Sequence, residues 1–209
     1  EIHYDFGPDG SELGHSNCAF PCECGRYVEI WNLVFMQFNR GQDGSLSELP
    51  KPSIDTGMGL ERMASVLQGK ISNYETDLLR PIIDQACKMF DTEYGASSSS
   101  DTSLRIIADH VRAATFLISD GIIPSNEGRG YVLRKIMRRG IRQGTLLGRK
   151  EPFLYQLSGY VAEMMKEAYP ELVPTREYVA RVIKSEEERF AAMVAVGLQK
   201  LEEVIDQAA

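Results

Sequence analysis

Asp55, Gly57, Gly59 and Arg62 stand close together in the run Pro50-Lys51-Pro52-Ser53-Ile54-Asp55-Thr56-Gly57-Met58-Gly59-Leu60-Glu61-Arg62. A carboxylate at Asp55 could fix an ammonium. A guanidinium at Arg62 presents a planar fork of donors suited to phosphate. The two glycines between them let a ligand approach the backbone closely. One short stretch can therefore hold an amino acid at one end and a nucleotide at the other. Asp-Thr-Gly also opens aspartic-protease loops, but those need a second loop in a β-rich body. Gly57 and Gly59 begin a dinucleotide fingerprint, but Arg62 occupies its third glycine position. A strand-to-helix turn without a ligand is the plain structural alternative.

The elements that must position these residues follow from periodicity. Leu60, Met63, Ala64, Leu67 and Ile71 recur at helical spacing, so a helix begins just after the glycines. Upstream, Tyr27 to Asn39 is rich in β-branched and aromatic residues and predicts a long buried strand. In simple alternation Val28, Ile30, Asn32, Val34, Met36 and Phe38 share one face. Asn32 is the polar exception there. Its amide could donate to a carboxylate, and Val34 beside it could wall a methyl-sized space. Glu29 has the opposite parity and reaches the same face only if the strand bulges. Gly41-Gln42-Asp43-Gly44 predicts the hairpin turn into the Asp55 stretch.

A second constellation lies earlier. His15, Cys18, Cys22 and Cys24 are four soft ligands in a turn-rich segment, and they make a candidate zinc site. The spacing is not that of a standard zinc ribbon, and free thiols in a loop are the alternative. The only other cysteine is Cys87, so a reduced chain without a disulfide framework is the simpler reading.

Beyond Tyr94-Gly95-Ala96-Ser97-Ser98-Ser99-Ser100-Asp101, which reads as a linker, the pattern is helical throughout. Helix faces are predicted at Leu104, Ile107, Val111, Ala114 and Ile118, and at Val132, Leu133, Ile136, Met137 and Ile141. Phe153 to Ala168 predicts another helix. Thr175 to about Gln207 predicts a long one, with Val179, Val182, Ile183, Phe190, Val194, Leu201 and Val204 or Ile205 inward. From Arg129 to Lys150 there are eight Lys or Arg and no acid, in a chain of net charge -7. Charge of one sign along a helix fits phosphate contact. The composition, 43% hydrophobic and 25% charged over 209 residues, is that of a globular protein. No apolar run is long enough to span a bilayer, and no membrane partner is expected.

Pro50 to Arg62 resembles motif 3 of the class II aminoacyl-tRNA synthetases. With Glu29-Ile30-Trp31-Asn32-Leu33-Val34-Phe35-Met36-Gln37-Phe38-Asn39-Arg40 before it, the resemblance narrows to the alanyl-tRNA synthetases. Ile107-Ala108-Asp109-His110-Val111-Arg112 and Pro124-Ser125-Asn126-Glu127-Gly128-Arg129-Gly130-Tyr131-Val132-Leu133-Arg134 are similar to that family's tRNA-recognition region. The resemblance implies an α+β fold: part of the antiparallel class II sheet over residues 1–95, then an all-helical tRNA-recognition domain over 101–209. It implies ATP-dependent activation of alanine and transfer to tRNA(Ala) in the cytoplasm, with Mg2+ accompanying ATP. Asp55 would bind the alanine ammonium and Asn32 its carboxylate, while Val34 and Gly57 limit the side-chain space. Gly59 and Arg62 would contact ATP, with Glu29 near magnesium. Asp55 and Arg62 would carry the catalytic burden. Asn126 would meet a base edge of the acceptor stem, and Arg134, Arg138, Arg139 and Arg142 would position phosphates. Class II motifs 1 and 2 are absent and the chain starts without methionine. It therefore reads as a fragment that does not aminoacylate tRNA by itself. A non-catalytic RNA-binding module built from a synthetase body, or a different class II synthetase, are the competing readings.

Overall fold

The computed structural model describes residues 1–11 and 13–208. Two compact units divide at Leu78/Leu79. The first is a three-stranded antiparallel sheet in the order β1 (Ile2–Asp5), β2 (Tyr27–Arg40), β3 (Leu46–Met58), followed by α1 (Leu60–Leu67). The hairpin turn forms where the glycines stand. Gly44 takes a left-handed φ of 84°, and the Asp43 carboxylate accepts from the Ser45 amide at 3.0 Å and its hydroxyl at 2.7 Å.

Two irregularities decide which side chains share a face. Between the pairs Met36↔Ser53 and Phe38↔Glu48, β3 loops out Leu49 to Pro52 against the single Gln37. Proline has no amide to give a ladder, so Pro50 and Pro52 sit where the pairing is interrupted. At the other edge Ile2 pairs Trp31 while His3 pairs Glu29, so β2 carries one extra residue at Ile30. That bulge reverses the parity below it. Glu29 therefore joins the face of Asn32, and Val28 moves to the opposite one, which corrects the alternation expected from sequence.

The strand is also less covered than expected. Every β2 residue from Val34 to Arg40 is exposed, including Val34 at 49% and Phe35 at 68%. Among the described residues a single short α-helix accompanies the three strands of this unit, too little to bury either face of a ribbon this long.

The second unit is helical: α2 (Arg80–Phe90), α3 (Ser98–Ser119), α4 (Gly128–Leu146), α5 (Leu154–Met164) and α6 (Leu172–Ala208). Leu104, Ile107, Val111, Ala114 and Ile118 of α3 are buried as their spacing predicts, against Leu133 and Met137 of α4, Leu157 and Val161 of α5, and Ile183 of α6. Each fully buried aliphatic side chain of this kind contributes about 1.5–3 kcal/mol. Pro81 sits in the first turn of α2, where its missing amide is harmless.

Three expectations need correction here. The serine run is not a linker. The Ser97 hydroxyl accepts from the Ser100 amide at 3.1 Å and caps α3, because serine competes for orphan amides at helix starts. α6 begins at Leu172 rather than Thr175, with Pro174 tolerated near its start. Its far half is not inward. Val179 and Ile183 are buried, but Val194, Leu201, Val204 and Ile205 are 38%, 54%, 60% and 56% exposed. The apolar stripe continues past the helices that cover its first half.

Two buried carboxylates brace the helical unit. Glu187 accepts from the amides of Phe153 (2.9 Å), Leu154 (2.8 Å) and Tyr155 (3.1 Å) and so caps α5. Burial pushes its carboxyl above the ordinary range against those three bonds. Glu186, 3% exposed, pairs with Arg138 Nε at 2.7 Å and Arg134 Nε at 3.3 Å.

Candidate active site

Asn32 lies directly opposite Gly57, and Val34 directly opposite Asp55. Residues opposite each other, and residues two apart on one strand, project to the same side of a sheet. Asn32, Val34, Asp55 and Gly57 therefore share one face. The diagonal from Asn32 to Asp55 is about 7 Å, wide enough to seat a small zwitterion between amide and carboxylate. Gly57 leaves room there: a Cβ added at this position would meet nothing within 4 Å. The Asp55 carboxylate is exposed and has no hydrogen-bond or ion-pair partner among the described residues. Asn32 Nδ2 donates to Glu1 Oε1 at 3.3 Å, so a carboxylate already stands where this amide can hold one.

The bulge at Ile30 brings further groups to the same face. The ligand atoms of Glu1, His3 and Glu29 lie within 4.8 Å of one another. Arg62 reaches this corner from α1. Its Nη1 donates to the Glu29 carbonyl at 2.7 Å and stands 3.9 Å from the Glu29 carboxylate. Gly59 caps α1, and its amide donates to the Ile30 carbonyl at 3.3 Å. A Cβ on Gly59 would come within 3.3 Å of Arg62 Cδ. The glycine thus leaves the arginine space to fold back toward the strand. Sequence reading missed Glu1 and His3, whose weakly alternating strand gave no sign of pairing beside Glu29.

The basic helix divides into two faces. Arg134 and Arg138 turn inward to Glu186. Arg138 also stacks over Phe190 at 5.2 Å, and Arg134 donates to the Asn126 side-chain carbonyl and to the Pro124 carbonyl at 3.1 Å. Arg139 and Arg142 are exposed, and Lys135 joins them at i, i+4 and i+7, the spacing of one helix face. Lys135, one of the eight basic residues counted from sequence, was not assigned to phosphate there, although that spacing could have found it. The loop before α4 is tightly built. Ser125 N donates to the Gly130 carbonyl at 3.1 Å, and a Cβ on Gly130 would meet the Ile123 carbonyl at 2.3 Å. Asn126 is held at the exposed turn of this loop by Arg134, with its amide nitrogen left to donate.

The fourth cluster is in the β1–β2 loop. Cys18 and Cys24 Sγ are 3.5 Å apart, and Cys22 Sγ is 3.6 Å from His15 Nδ1. A hydrogen bond from Ser11, then one from the Arg26 backbone, brings the Cys24 thiol down to about 6, while burial pushes Cys18 up. Arg26 clamps the base of the loop. It pairs with Asp5 at 2.6 and 2.8 Å and donates to the Cys18 carbonyl at 3.1 Å.

No helix among the described residues is long and apolar enough to cross a membrane. The profile of the tRNA synthetases class II (A) matches residues 1–209. The chain is 58% identical over 197 residues to an alanine-tRNA ligase of Solibacter usitatus, covering 94% of this chain and 22% of that protein. It is 52% identical over 212 residues to the alanine-tRNA ligase of Magnetococcus marinus, covering 98% and 23%. Against the alanine-tRNA ligase of Dehalococcoides mccartyi it is 48% identical over 207 residues, covering 99% and 24%. The chain thus spans 22 to 24% of the length of these relatives. A sheet face bearing an amide, an acid and a glycine beside an arginine, within a sequence that the profile matches from end to end, leaves one assignment: the chain belongs to the class II tRNA synthetase family.

Proposed function

We propose that this chain supplies part of the alanine-activating site of an alanine-tRNA ligase and, through residues 101–209, part of its grip on tRNA(Ala). One observation carries the first half of this reading: Asn32, Val34, Asp55 and Gly57 face the same side of the β2–β3 ribbon. Asp55 takes the ammonium of alanine. The Asn32 amide takes its carboxylate, exchanging the Glu1 oxygen for a substrate oxygen. Val34 and the bare backbone of Gly57 admit a methyl group and crowd anything larger.

In the first step an alanine carboxylate oxygen attacks the α-phosphorus of ATP and pyrophosphate leaves, giving alanyl-adenylate. In the second, a hydroxyl of the tRNA terminal adenosine attacks the alanyl carbonyl and AMP leaves. No side chain forms a covalent bond. Alignment and charge stabilisation carry the rate. Arg62 neutralises developing phosphate charge from the end of the ribbon, and Gly59 lets the nucleotide lie against the turn. Glu29 offers hard carboxylate oxygen to the Mg2+ that accompanies ATP, a donor type this cation prefers. Glu1 stands beside it with a second carboxylate. Bound magnesium supplies neutralisation of the phosphate oxygens.

Gly57→Ala separates a pocket from a mere turn. The new methyl enters open space in the ligand-free chain, so the thermal midpoint is expected to stay within about 2 °C. The same methyl occupies the place of the substrate's. With the 209 residues grafted in place of the matching segment of the Solibacter usitatus ligase, we expect KM for alanine in ATP–pyrophosphate exchange to rise at least about tenfold. An unchanged KM would remove Gly57 from the pocket.

The second half of the reading places Lys135, Arg139 and Arg142 along acceptor-stem phosphates and Asn126 at a base edge. Arg134 and Arg138 serve mainly to hold α4 and the Asn126 loop. For the 209-residue chain binding an acceptor-stem hairpin, Arg139→Ala and Arg142→Ala should each lower the slope of log K against log salt by about 1. Arg138→Ala should leave the slope nearly unchanged and lower stability instead. Equal slopes for all three variants would contradict the division of faces.

A further inference from the structure

We propose that the groove between α6 and the loop carrying Asn126 holds the phosphate backbone of bound RNA, with Arg181 and Arg189 as its phosphate contacts. This rests on the placement of Asn126 at a base edge and extends that contact onto a second helix.

The groove has a volume of about 420 Å³. Ile123 and Pro124 form one wall, and Tyr178, Arg181, Ser185 and Arg189 form the other. Those four recur at i, i+3, i+7 and i+11, so they line one flank of α6. Glu186 lies at the edge of that flank nearest the core, where Val179 and Ile183 are buried.

The charge of the groove is one-sided. Its acid, Glu186, is already shared by Arg138 at 2.7 Å and Arg134 at 3.3 Å. Arg181 and Arg189 are exposed, and neither has a hydrogen-bond or ion-pair partner among the described residues. Two unpaired guanidiniums beside a neutralised carboxylate make a positive groove in a chain of net charge -7. Lys184, on the opposite flank, is engaged differently: it stands over the Tyr155 ring at 5.3 Å and 4.0 Å from Glu188. The planar fork of an arginine matches phosphate oxygens. The helical rise puts Arg181 and Arg189 about 12 Å apart along α6, a spacing that suits a chain of phosphates better than a single anion. Between them the exposed Tyr178 ring and the Ser185 hydroxyl offer a sugar edge an apolar surface and a hydrogen-bond partner.

Arg134 joins this groove to the RNA contacts of α4. It pairs with Glu186 on the floor, donates to the Pro124 carbonyl in the wall at 3.1 Å, and donates to the Asn126 side-chain carbonyl. Asn126 therefore stands at the rim. At about 100° per residue, Arg134 and Arg138 lie between the buried stripe of α4 and its Lys135, Arg139 and Arg142 face. The side of α4 that meets α6 thus leads onto the basic face. A strand whose base edge meets Asn126 carries backbone to either side of that base. The α4 face takes one side and the α6 groove takes the other, and phosphate contacts on both sides fix the register in which Asn126 reads.

The test uses the unsubstituted 209-residue chain, an acceptor-stem hairpin of tRNA(Ala) and an arginine-modifying dicarbonyl, with modification read by peptide mass. Bound hairpin should slow modification of Arg181 and Arg189 at least about fivefold, while inorganic phosphate at equal ionic strength should not. This reading needs no variant to fold. In hairpin binding, Arg181→Ala/Arg189→Ala should lower the slope of log K against log salt by about 2. Arg181→Lys/Arg189→Lys should keep most of the slope, because the charge remains. Lys184→Ala should leave it unchanged. Protection confined to Arg139 and Arg142, with an unaltered slope in the double alanine variant, would overturn the groove and leave the RNA face of α4 standing. Absence of protection at all four arginines would remove both. Equal protection by inorganic phosphate would also overturn the proposal, because it marks a site for a lone anion.

Discussion

Asp55→Asn is expected to lower kcat/KM for alanine in ATP–pyrophosphate exchange by about 10²- to 10³-fold when the chain replaces its counterpart in the Solibacter usitatus ligase. The estimate rests on one ion pair. A carboxylate that pairs with a bound ammonium is worth roughly 3–4 kcal/mol, and each 1.4 kcal/mol is tenfold. Asparagine keeps the size and one oxygen but loses the charge. Stability should hardly move, because the Asp55 carboxylate is exposed and has no partner among the described residues to lose. That asymmetry makes the experiment informative. A melting temperature preserved together with collapsed exchange assigns Asp55 to substrate. A loss confined to stability would make it a residue of the turn.

Glu186→Ala is expected to show the opposite pattern, destabilising the helical unit by about 3 kcal/mol in urea denaturation. Glu186 is 3% exposed and faces two guanidiniums, with Arg138 Nε at 2.7 Å and Arg134 Nε at 3.3 Å. Removing it leaves two cations at a partly buried place without the carboxylate that pairs with both. We take the lower end of the range because the Arg138 side chain keeps 28% exposure and can recover some hydration. The change should also loosen Arg134 from the Pro124 carbonyl and Asn126, so protection of the 124–127 backbone against hydrogen exchange should fall. Glu186→Gln, which retains an acceptor but no charge, should cost less. A loss below about 1 kcal/mol for the alanine variant would mean that the two arginines find water or other partners at little cost.

Much of this arrangement was legible before the structure. The helix after Gly59, the hairpin at Gly41–Gly44 and the α3 core from Leu104 to Ile118 follow from local patterns that report local geometry. The interruption of pairing at Pro50 and Pro52 was not read from sequence, although its cause, a missing amide, is local. The bulge at Ile30 was not marked by any residue type. It arises from how β1 pairs with β2, and it alone decides that Glu29 shares a face with Asn32. The resemblance and the single-sign charge of their helix put Arg134 and Arg138 at phosphates, and neither signal can report an ion pair to a distant acid. Their partner Glu186 lies 48 residues from Arg138, beyond the reach of any local pattern. The serines at 97–100 have a linker's composition, yet the same hydroxyl chemistry makes Ser97 a cap. The outer half of α6 carries an inward-looking stripe, but burial depends on what lies alongside a helix, and periodicity cannot report that.

The account stands or falls on where an alanyl group binds. The most direct measurement is a crystal structure of the grafted ligase with a non-hydrolysable alanyl-adenylate analogue. It should show the ammonium hydrogen-bonded to the Asp55 carboxylate, the alanyl carbonyl directed at the Asn32 amide, and the methyl against Val34 and Gly57. An analogue seated away from the Asn32–Asp55 face, or bound there with its ammonium turned from Asp55, would contradict it.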